Sequence, residues 1–251
     1  MRRILLFAGF IICIANTALA ADWSGVYLGL NAGGVWGTKY PTLSANTGGA
    51  LAPFDSTISA AGSQSFRNSG FVGGGQVGIN WQRQNLVFGI EADFEYFNPK
   101  GSQTTAGFIP NTTNFTVAQS ASANWLFTAR PRIGLASGNW LIYVTGGVAV
   151  ANLKYTETFS STTINAVGTT LFGSESESAS KTKAGGTIGG GLELTMSNRM
   201  SVRAEYLYVD FGSLSSAGTF CITTTPAICG PFSQSMTFKE NLVRIAVNWK
   251  L

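Results

Sequence analysis

The C-terminal segment Asn241-Leu-Val-Arg-Ile-Ala-Val-Asn-Trp-Lys-Leu251 decides the fold of this chain. Its alternate positions form one apolar set, which consists of Val243, Ile245, Val247, Trp249 and Leu251. The positions between them form a mainly polar set, which consists of Leu242, Arg244, Ala246, Asn248 and Lys250. Because successive side chains of a strand point to opposite faces, this alternation predicts a strand with one oily face. About ten residues is also the length that a tilted strand needs to cross a bilayer.

Seven upstream segments repeat this alternation, so the chain has eight candidate strands. They cover residues 25–36, 70–81, 86–96, 123–135, 140–152, 185–196, 200–211 and 241–251. In the fourth candidate, Asn124 is assigned to the inner face together with Thr128, Arg130 and Arg132. Pro131 interrupts the same candidate. Proline cannot donate a ladder hydrogen bond, so we expect a local bulge at this position.

The connections between the candidate strands alternate in length. Short joins rich in turn-forming residues cover residues 82–85, 136–139 and 197–199. Long joins rich in Ser, Thr, Gly, Ala and Asn cover residues 37–69, 97–122, 153–184 and 212–239. Short periplasmic turns and long extracellular loops are typical of outer-membrane barrels. A soluble β-sandwich also has alternating strands and is the alternative, although its strands are usually nearer five or six residues.

The composition favours a membrane barrel. Charged residues make up 11% of the chain, against about 25% in an ordinary soluble domain. After the N-terminal region, no segment is apolar over the roughly 20 residues that a spanning helix requires. Aromatic residues occur at both ends of the candidate strands, as two interfacial girdles would require: Trp81, Trp140 and Trp249 beside the turns, and Trp36, Tyr96 and Trp125 near the loops. We therefore predict an all-β, eight-stranded antiparallel transmembrane barrel.

The N-terminus has the organisation of an export signal. Met1-Arg2-Arg3 is positively charged, residues 4–15 are apolar, and Ala18-Leu19-Ala20 is a small-residue cleavage site. We therefore expect residues 1–20 to be a cleaved signal peptide and residues 21–251 to form the barrel. An uncleaved anchor helix is the alternative, but the apolar run is short for spanning a bilayer.

Two cysteines, Cys221 and Cys229, remain once the signal peptide is removed. In an oxidising compartment, two cysteines this close in sequence favour a disulfide that closes one loop. A metal pair is the alternative, but it would need further ligands, and the chain contains no histidine.

Few features of the sequence indicate catalysis, cofactors or nucleic-acid binding. The absence of histidine excludes the common Ser-His-Asp triads. Gly73-Gly-Gly75-Gln-Val-Gly78 fits a dinucleotide fingerprint, but it continues into a strand where the fingerprint requires a helix. The excess of basic residues is small, with 16 Lys and Arg against 12 Asp and Glu, and Arg2 and Arg3 belong to the signal. We expect no enzyme activity, no cofactor and no nucleic-acid partner.

Charged residues on the predicted inner face form the main candidate site. The acids are Glu91, Asp93, Glu95, Glu193 and Glu205, and the bases are Arg130, Arg132, Arg203 and Arg244. An eight-stranded barrel is just wide enough for side chains to fill. Because a buried charge without a partner is unfavourable by several kcal/mol, we predict an ion-pair network that plugs the lumen. A charge-lined narrow pore is the alternative, because glycines on the inner face leave space: Gly29, Gly33, Gly74, Gly78 and Gly189.

Several motifs resemble those of a known family of small porin-like outer-membrane proteins. They are Ala21-Asp-Trp-Ser-Gly-Val-Tyr-Leu-Gly29, Tyr143-Val-Thr-Gly-Gly-Val148, Gly189-Gly-Gly-Leu-Glu193, Ala204-Glu-Tyr-Leu-Tyr-Val-Asp-Phe-Gly212 and the closing strand. The chain is similar to the immunogenic surface-antigen family of alphaproteobacteria, which is related to the membrane domain of outer membrane protein A. The resemblance covers nearly all of residues 21–251.

The resemblance implies an eight-stranded barrel whose exposed loops are antigenic. Roles suggested across the family are envelope integrity, adhesion to a host or matrix ligand through the loops, and haem capture. The implied partners are outer-membrane lipid and the barrel-assembly machinery. Two features depart from the family: Leu251 stands where such barrels usually end in Phe, and the lack of histidine removes the commonest haem ligand.

Overall fold

The fold is a single antiparallel sheet that closes on itself. A computed structural model describes residues 21–46, 52, 55–109, 113–164, 170–222 and 228–251. The elements are β1 Gly25–Ala45, α1 Asp55–Ala61, β2 Phe66–Arg83, β3 Leu86–Phe97, β4 Lys100–Ile109, β5 Thr113–Ser137, β6 Trp140–Ile164, β7 Thr170–Ser197, β8 Met200–Ile222 and β9 Ile228–Lys250. The expected signal peptide, residues 1–20, lies outside the described residues.

The nine described strands form a ring of eight. β3 and β4 both pair with β5, one beyond the other, so they are two halves of one ring strand. Asn98 and Pro99 separate the halves. The ring closes because β1 pairs with β2 on one side and with β9 on the other. The predicted eight-stranded antiparallel barrel is therefore confirmed.

The ladder register fixes how the strands tilt in this barrel. Starting at Gly25, the cross-strand pairs run through Asn80, Gly89, Arg132, Thr145, Gly189, Leu207 and Leu242 and return to β1 at Val35. The row thus returns ten residues above its start. A stagger of this kind tilts the strands by roughly 35–45° from the barrel axis.

The outer wall is apolar between two groups of aromatic residues. Apolar side chains of the predicted outward set are exposed, for example Leu30, Ile90 and Ile245. Trp81, Trp140 and Trp249 mark the end of the wall that carries the short turns, and Trp36 and Tyr96 mark the other end. None of the helices in the described part of the chain is long and apolar enough to cross a bilayer.

The long joins contain much more strand than the alternation predicted. β1, β5, β6, β7, β8 and β9 continue far beyond the aromatic residues, and β7 alone has 28 residues. The expected loops are therefore tall β-hairpins, because their alternating Ser, Thr and small residues satisfy the strand ladder as well as an apolar set does. The helix α1, which the sequence did not predict, packs its buried Ile58 with Leu43, Phe115 and Val117 inside this extracellular part.

The bulge expected at Pro131 lies elsewhere on β5. Ala123 pairs with Leu153 and Leu126 with Ala151, so two residues of β5 face one residue of β6. Asn124 is consequently exposed, and its assignment to the inner face is wrong. Pro131 keeps the register of its neighbours, and its carbonyl oxygen accepts a hydrogen bond from the Thr145 hydroxyl at 2.8 Å.

Candidate functional site in the barrel lumen

The inner faces of the strands bring the predicted charged residues together in the periplasmic half of the lumen. On β3 the alternation turns Glu91, Asp93 and Glu95 into the lumen, and Glu91 is the direct cross-strand partner of Arg130 of β5. All nine predicted residues are almost completely buried: Glu91, Asp93, Glu95, Arg130, Arg132, Glu193, Arg203, Glu205 and Arg244. We call this set the lumen network.

Arg130 joins three acids of the lumen network. Its Nη2 donates to Glu91 Oε1 at 2.8 Å and to Asp93 Oδ2 at 2.7 Å, and its Nη1 donates to Glu205 Oε2 at 3.2 Å. These acids come from β3 and β8, which lie on different sides of the ring. Arg130 therefore links the walls across the lumen.

Arg244 makes a second link between opposite walls of the barrel. Its Nε donates to Glu205 Oε2 at 2.7 Å, its Nη2 contacts Asp93 Oδ1 at 3.2 Å, and its Nη1 pairs with Glu95. Within the described part of the chain, Glu95 has no other cationic partner. The charge of Glu95 thus depends on Arg244.

Two tyrosines complete the lower layer of the lumen network, and the sequence did not identify their role. The Tyr27 hydroxyl donates to Glu91 Oε2 at 2.5 Å, and the Tyr143 hydroxyl donates to Glu205 Oε1 at 2.6 Å. The guanidinium carbons of Arg132 and Arg203 lie 5.0 to 5.6 Å from the centroids of both tyrosine rings. Cation–π contacts at these distances are favourable. In the sequence, both tyrosines occupy inner positions of the alternating pattern, and this is the signal that could have identified them.

Arg132 and Arg203 share their acids in this lower layer. Glu193 Oε2 lies 3.1 Å from Arg132 Nη1 and 3.2 Å from Arg203 Nη2, and Arg203 Nη1 also donates to Glu91 at 2.5 Å. The amide of Asn248 donates to Glu193 Oε1 at 2.7 Å. Each carboxylate in the layer is therefore shared by several donors, which is the condition for burying charge.

Neighbouring side chains fill the space beside two of the inner glycines. A Cβ atom on Gly78 would lie 2.2 Å from the Tyr27 hydroxyl oxygen, and one on Gly29 would lie 2.1 Å from Asn248 Oδ1. The space at these positions is occupied by neighbouring side chains. The expectation that the inner glycines leave free bore is therefore wrong at both positions.

An apolar layer, which the sequence did not predict, lies above the lumen network. Eighteen buried residues form one hydrophobic cluster. Its large members include Phe97, Leu126, Phe211 and Phe238. Several of them belong to segments that were assigned to loops, so their inward direction could not be read without the strand extensions. This layer separates the network from the extracellular end.

Two further buried polar groups of the described residues lie between the lumen network and the extracellular end of the barrel. Lys39 pairs with Glu240, whose carboxylate also accepts from Asn68 Nδ2 at 3.0 Å. Farther up, Gln119 Nε2 donates to Glu157 Oε2 at 2.6 Å and to the carbonyl oxygen of Gly62 at 2.7 Å, just after α1. No cation among the described residues pairs with Glu157, and burial raises its pKa above the ordinary glutamate value.

A small cavity lies at the periplasmic mouth of the lumen. It has a volume of about 40 Å³ and touches Tyr27, Asn80, Glu193 and Asn248, and this volume holds only a few water molecules. Within the described residues, no group of three or more His, Cys, Asp or Glu side chains is arranged to hold a metal ion. The chemistry available in the lumen is ion pairing and hydrogen bonding.

The predicted disulfide lies at the end of the β8–β9 hairpin. Cys221 and Cys229 are direct cross-strand partners in the backbone register. Their side chains lie outside the described part of the structure, so the bond itself stays a prediction.

A closed ring of antiparallel strands with an apolar, lipid-facing outer wall defines the class of outer-membrane β-barrels. The chain belongs to the outer membrane protein β-barrel domain family, whose profile matches residues 5–250. The protein is located in the bacterial outer membrane.

Curated relatives come from two bacterial genera. The 31 kDa outer-membrane immunogenic protein of Brucella melitensis is 32% identical over 204 residues, which is 79% of this chain and 76% of the relative. The 22 kDa outer membrane protein of Rhizobium leguminosarum bv. viciae is 29% identical over 142 residues, which is 56% of this chain and 53% of the relative. The crystal structure of Neisserial surface protein A aligns over 91% of this chain and 98% of its own, with 11% identity and a TM-score of 0.33.

Proposed function

We propose that this protein is a non-enzymatic structural and surface protein of the outer membrane whose lumen is plugged. The observation that carries the proposal is the filling of the lumen by buried side chains, namely the lumen network, the apolar cluster and the Lys39–Glu240 pair. Outside, the closed ladder satisfies the backbone hydrogen bonds that lipid cannot. Such a barrel is a stable frame that presents its hairpins to the exterior.

The alternative is a narrow ion-conducting pore, and planar-bilayer recording separates the two. We expect purified, refolded protein to insert without producing steady single-channel steps. A variant with Phe97→Ala and Phe238→Ala, which thins the apolar layer, is the comparison for a partly opened lumen. Steady wild-type steps whose size or ion selectivity changes with Arg130→Ala or Asp93→Ala would contradict the plug. Heat-modifiable migration on a gel verifies that each variant is folded before recording.

The tall hairpins support a role as a surface antigen. They extend well beyond the aromatic residues, and the Brucella relative is named as an immunogenic outer-membrane protein. We expect antibodies raised against the purified barrel to label intact cells. Replacing residues 105–117 by a two-residue Asn-Gly turn joins the paired positions Thr104 and Ala118 and shortens one hairpin without shifting its register. Antibodies raised against the removed tip should label wild-type cells more strongly than cells with the shortened variant. Equal labelling of the two would contradict exposure of this hairpin.

Adhesion to a host or matrix ligand is a second candidate for the same hairpins. Phe108 supports it, because this large apolar side chain is 61% exposed on β4, beyond the membrane wall. A single exposed aromatic residue often anchors an interface. We expect Phe108→Ser to weaken attachment of the bacteria to matrix-coated surfaces, whereas equal attachment of the variant and the wild type would exclude this residue as the anchor.

The proposal includes export and assembly. We propose that residues 1–20 are removed on export and that N-terminal sequencing of the outer-membrane form begins at Ala21. The barrel-assembly machinery is the partner expected during insertion.

A further inference from the structure

A row of cations crosses the outer wall above the membrane. Lys100 of β4 pairs across the ladder with Ser122 of β5, Ser122 pairs with Lys154 of β6, and Lys154 pairs with Ser180 of β7. Neighbouring strands lie about 4.8 Å apart, so the two lysine backbones are about 10 Å apart. Lysine and serine therefore alternate along one row of the sheet, and both lysine side chains are exposed.

A third cation joins this row from β2. Ser69 pairs with Lys100, and the exposed Arg67 lies two residues from Ser69. β2 and β4 approach closely there, since a Cβ atom on Gly101 would lie 2.6 Å from the carbonyl oxygen of Arg67. We call Arg67, Lys100 and Lys154 the cationic patch.

Among the described residues of β4, β5 and β6, the cationic patch has no acidic neighbour on its own face. Glu157 is the sole carboxylate within β4, β5 and β6 as far as these strands are described, and it is buried on the inner face. Two cations outside the patch are engaged by the protein itself: Lys239 of β9 pairs with Asp210 at 3.4 Å, and Lys183 of β7, the strand next to that of Lys154, donates to the carbonyl oxygen of Ser213. The charge of the cationic patch is thus left for an external anion.

Aromatic side chains lie immediately below the patch and fix its depth. Phe71 contacts Tyr96 with ring centroids 6.5 Å apart, and Phe94 stacks on Trp125 at 6.0 Å. Tyr96 precedes Lys100 by four residues, a span of about 13 Å along the tilted strand. Aromatic rings of this kind occupy the membrane interface. The cationic patch therefore lies at the headgroup level of the outer leaflet.

We propose that the cationic patch binds the phosphate groups of a phosphorylated glycolipid of the outer leaflet. The ammonium groups of the lysines and the fork of Arg67 are donors suited to phosphate, and the interposed serine hydroxyls are donors and acceptors suited to a sugar. The aromatic rings below face the region of the lipid chains. This inference rests on the outer-membrane location and does not depend on whether the lumen conducts.

Binding of purified lipopolysaccharide to the immobilised, folded barrel in detergent tests the proposal. The test variant is Lys100→Gln with Lys154→Gln, and the matched control is Lys183→Gln with Lys239→Gln, which removes the same charge from lysines that the protein itself engages. The probes are lipopolysaccharide, the same material after enzymatic dephosphorylation, and inorganic pyrophosphate. Heat-modifiable migration verifies folding of both variants.

We expect the test variant to weaken lipopolysaccharide binding by about tenfold or more, because each Lys near a lipid surface adds appreciable attraction. The control variant should stay within about twofold of the wild type. Dephosphorylated material should bind the wild type as weakly as intact lipopolysaccharide binds the test variant. Equal binding by the test variant and the wild type, or by the two forms of lipopolysaccharide, would overturn the proposal. Pyrophosphate binding as tight as that of the lipid would also overturn it, because the site would then recognise free phosphate.

Discussion

Replacing Arg244 by methionine should destabilise the barrel strongly. The side chain is 1% exposed and pairs with Glu95, Asp93 and Glu205. Asp93 and Glu205 keep Arg130 after the substitution, whereas Glu95 loses its cation. Methionine keeps most of the volume, so the loss is mainly electrostatic. A buried charge left without its partner is unfavourable by about 3–5 kcal/mol, and we expect a loss of free energy of unfolding in this range.

Equilibrium urea unfolding in lipid vesicles, followed by tryptophan fluorescence, measures this loss. Adding Glu95→Gln to the Arg244→Met variant should recover most of the stability, because the orphaned charge is then absent. Lys250→Gln is the control, since it breaks the exposed pair with Asp22, and such pairs contribute about 0–1 kcal/mol. If Arg244→Met lowers the free energy of unfolding no more than Lys250→Gln, or if Glu95→Gln brings no recovery, the ion-pair reasoning is refuted.

Three further predictions concern packing, covalent structure and pH. Gly78→Ala should lower the thermal stability, because its methyl group would overlap a tyrosine ring, whereas Gly186→Ala should not, because nothing lies within 4 Å of the added atom; equal melting temperatures would refute this. Intact mass after thiol alkylation should show Cys221 and Cys229 blocked until reduction, and free thiols in the exported protein would refute the disulfide. Because burial raises the pKa of Glu157, its stabilising contribution is complete below the ordinary glutamate pKa and is lost as the pH rises through the raised value. Glu157→Gln should therefore gain melting temperature relative to the wild type as pH rises, and a difference that does not vary with pH would contradict this.

The charged lumen could be read from alternation because its residues lie in the segments that cross the membrane. There the outer face must be apolar, so Glu91 and Arg130 had only the inner face available. The same reasoning failed at Asn124, where a bulge places two consecutive residues on the outer side. A bulge adds one residue to one strand, and nothing in the local composition distinguishes it from regular alternation.

The strands of the extracellular half could not be predicted from the sequence, for a different reason. Outside the membrane neither face of a strand must be apolar, so Ser- and Thr-rich segments carry no strong period. The strand extensions of β6 and β7 and the cationic row follow from the register in which neighbouring strands pair. The same holds for the Lys39–Glu240 pair, whose members are separated by 201 residues.

The sequence by itself determined that the chain forms a lipid-facing barrel of eight strands, because lipid admits only one side-chain pattern on the outer wall. It also determined which charges the membrane-crossing part of the lumen must hold. Only the tertiary structure decided which arginine meets which acid, since the stagger of the closed ring sets the neighbours across the lumen. Closure of the ring also placed the apolar layer above the charged residues and brought Lys100 into one row with Lys154. Each of these arrangements depends on the register between strands and not on any single strand.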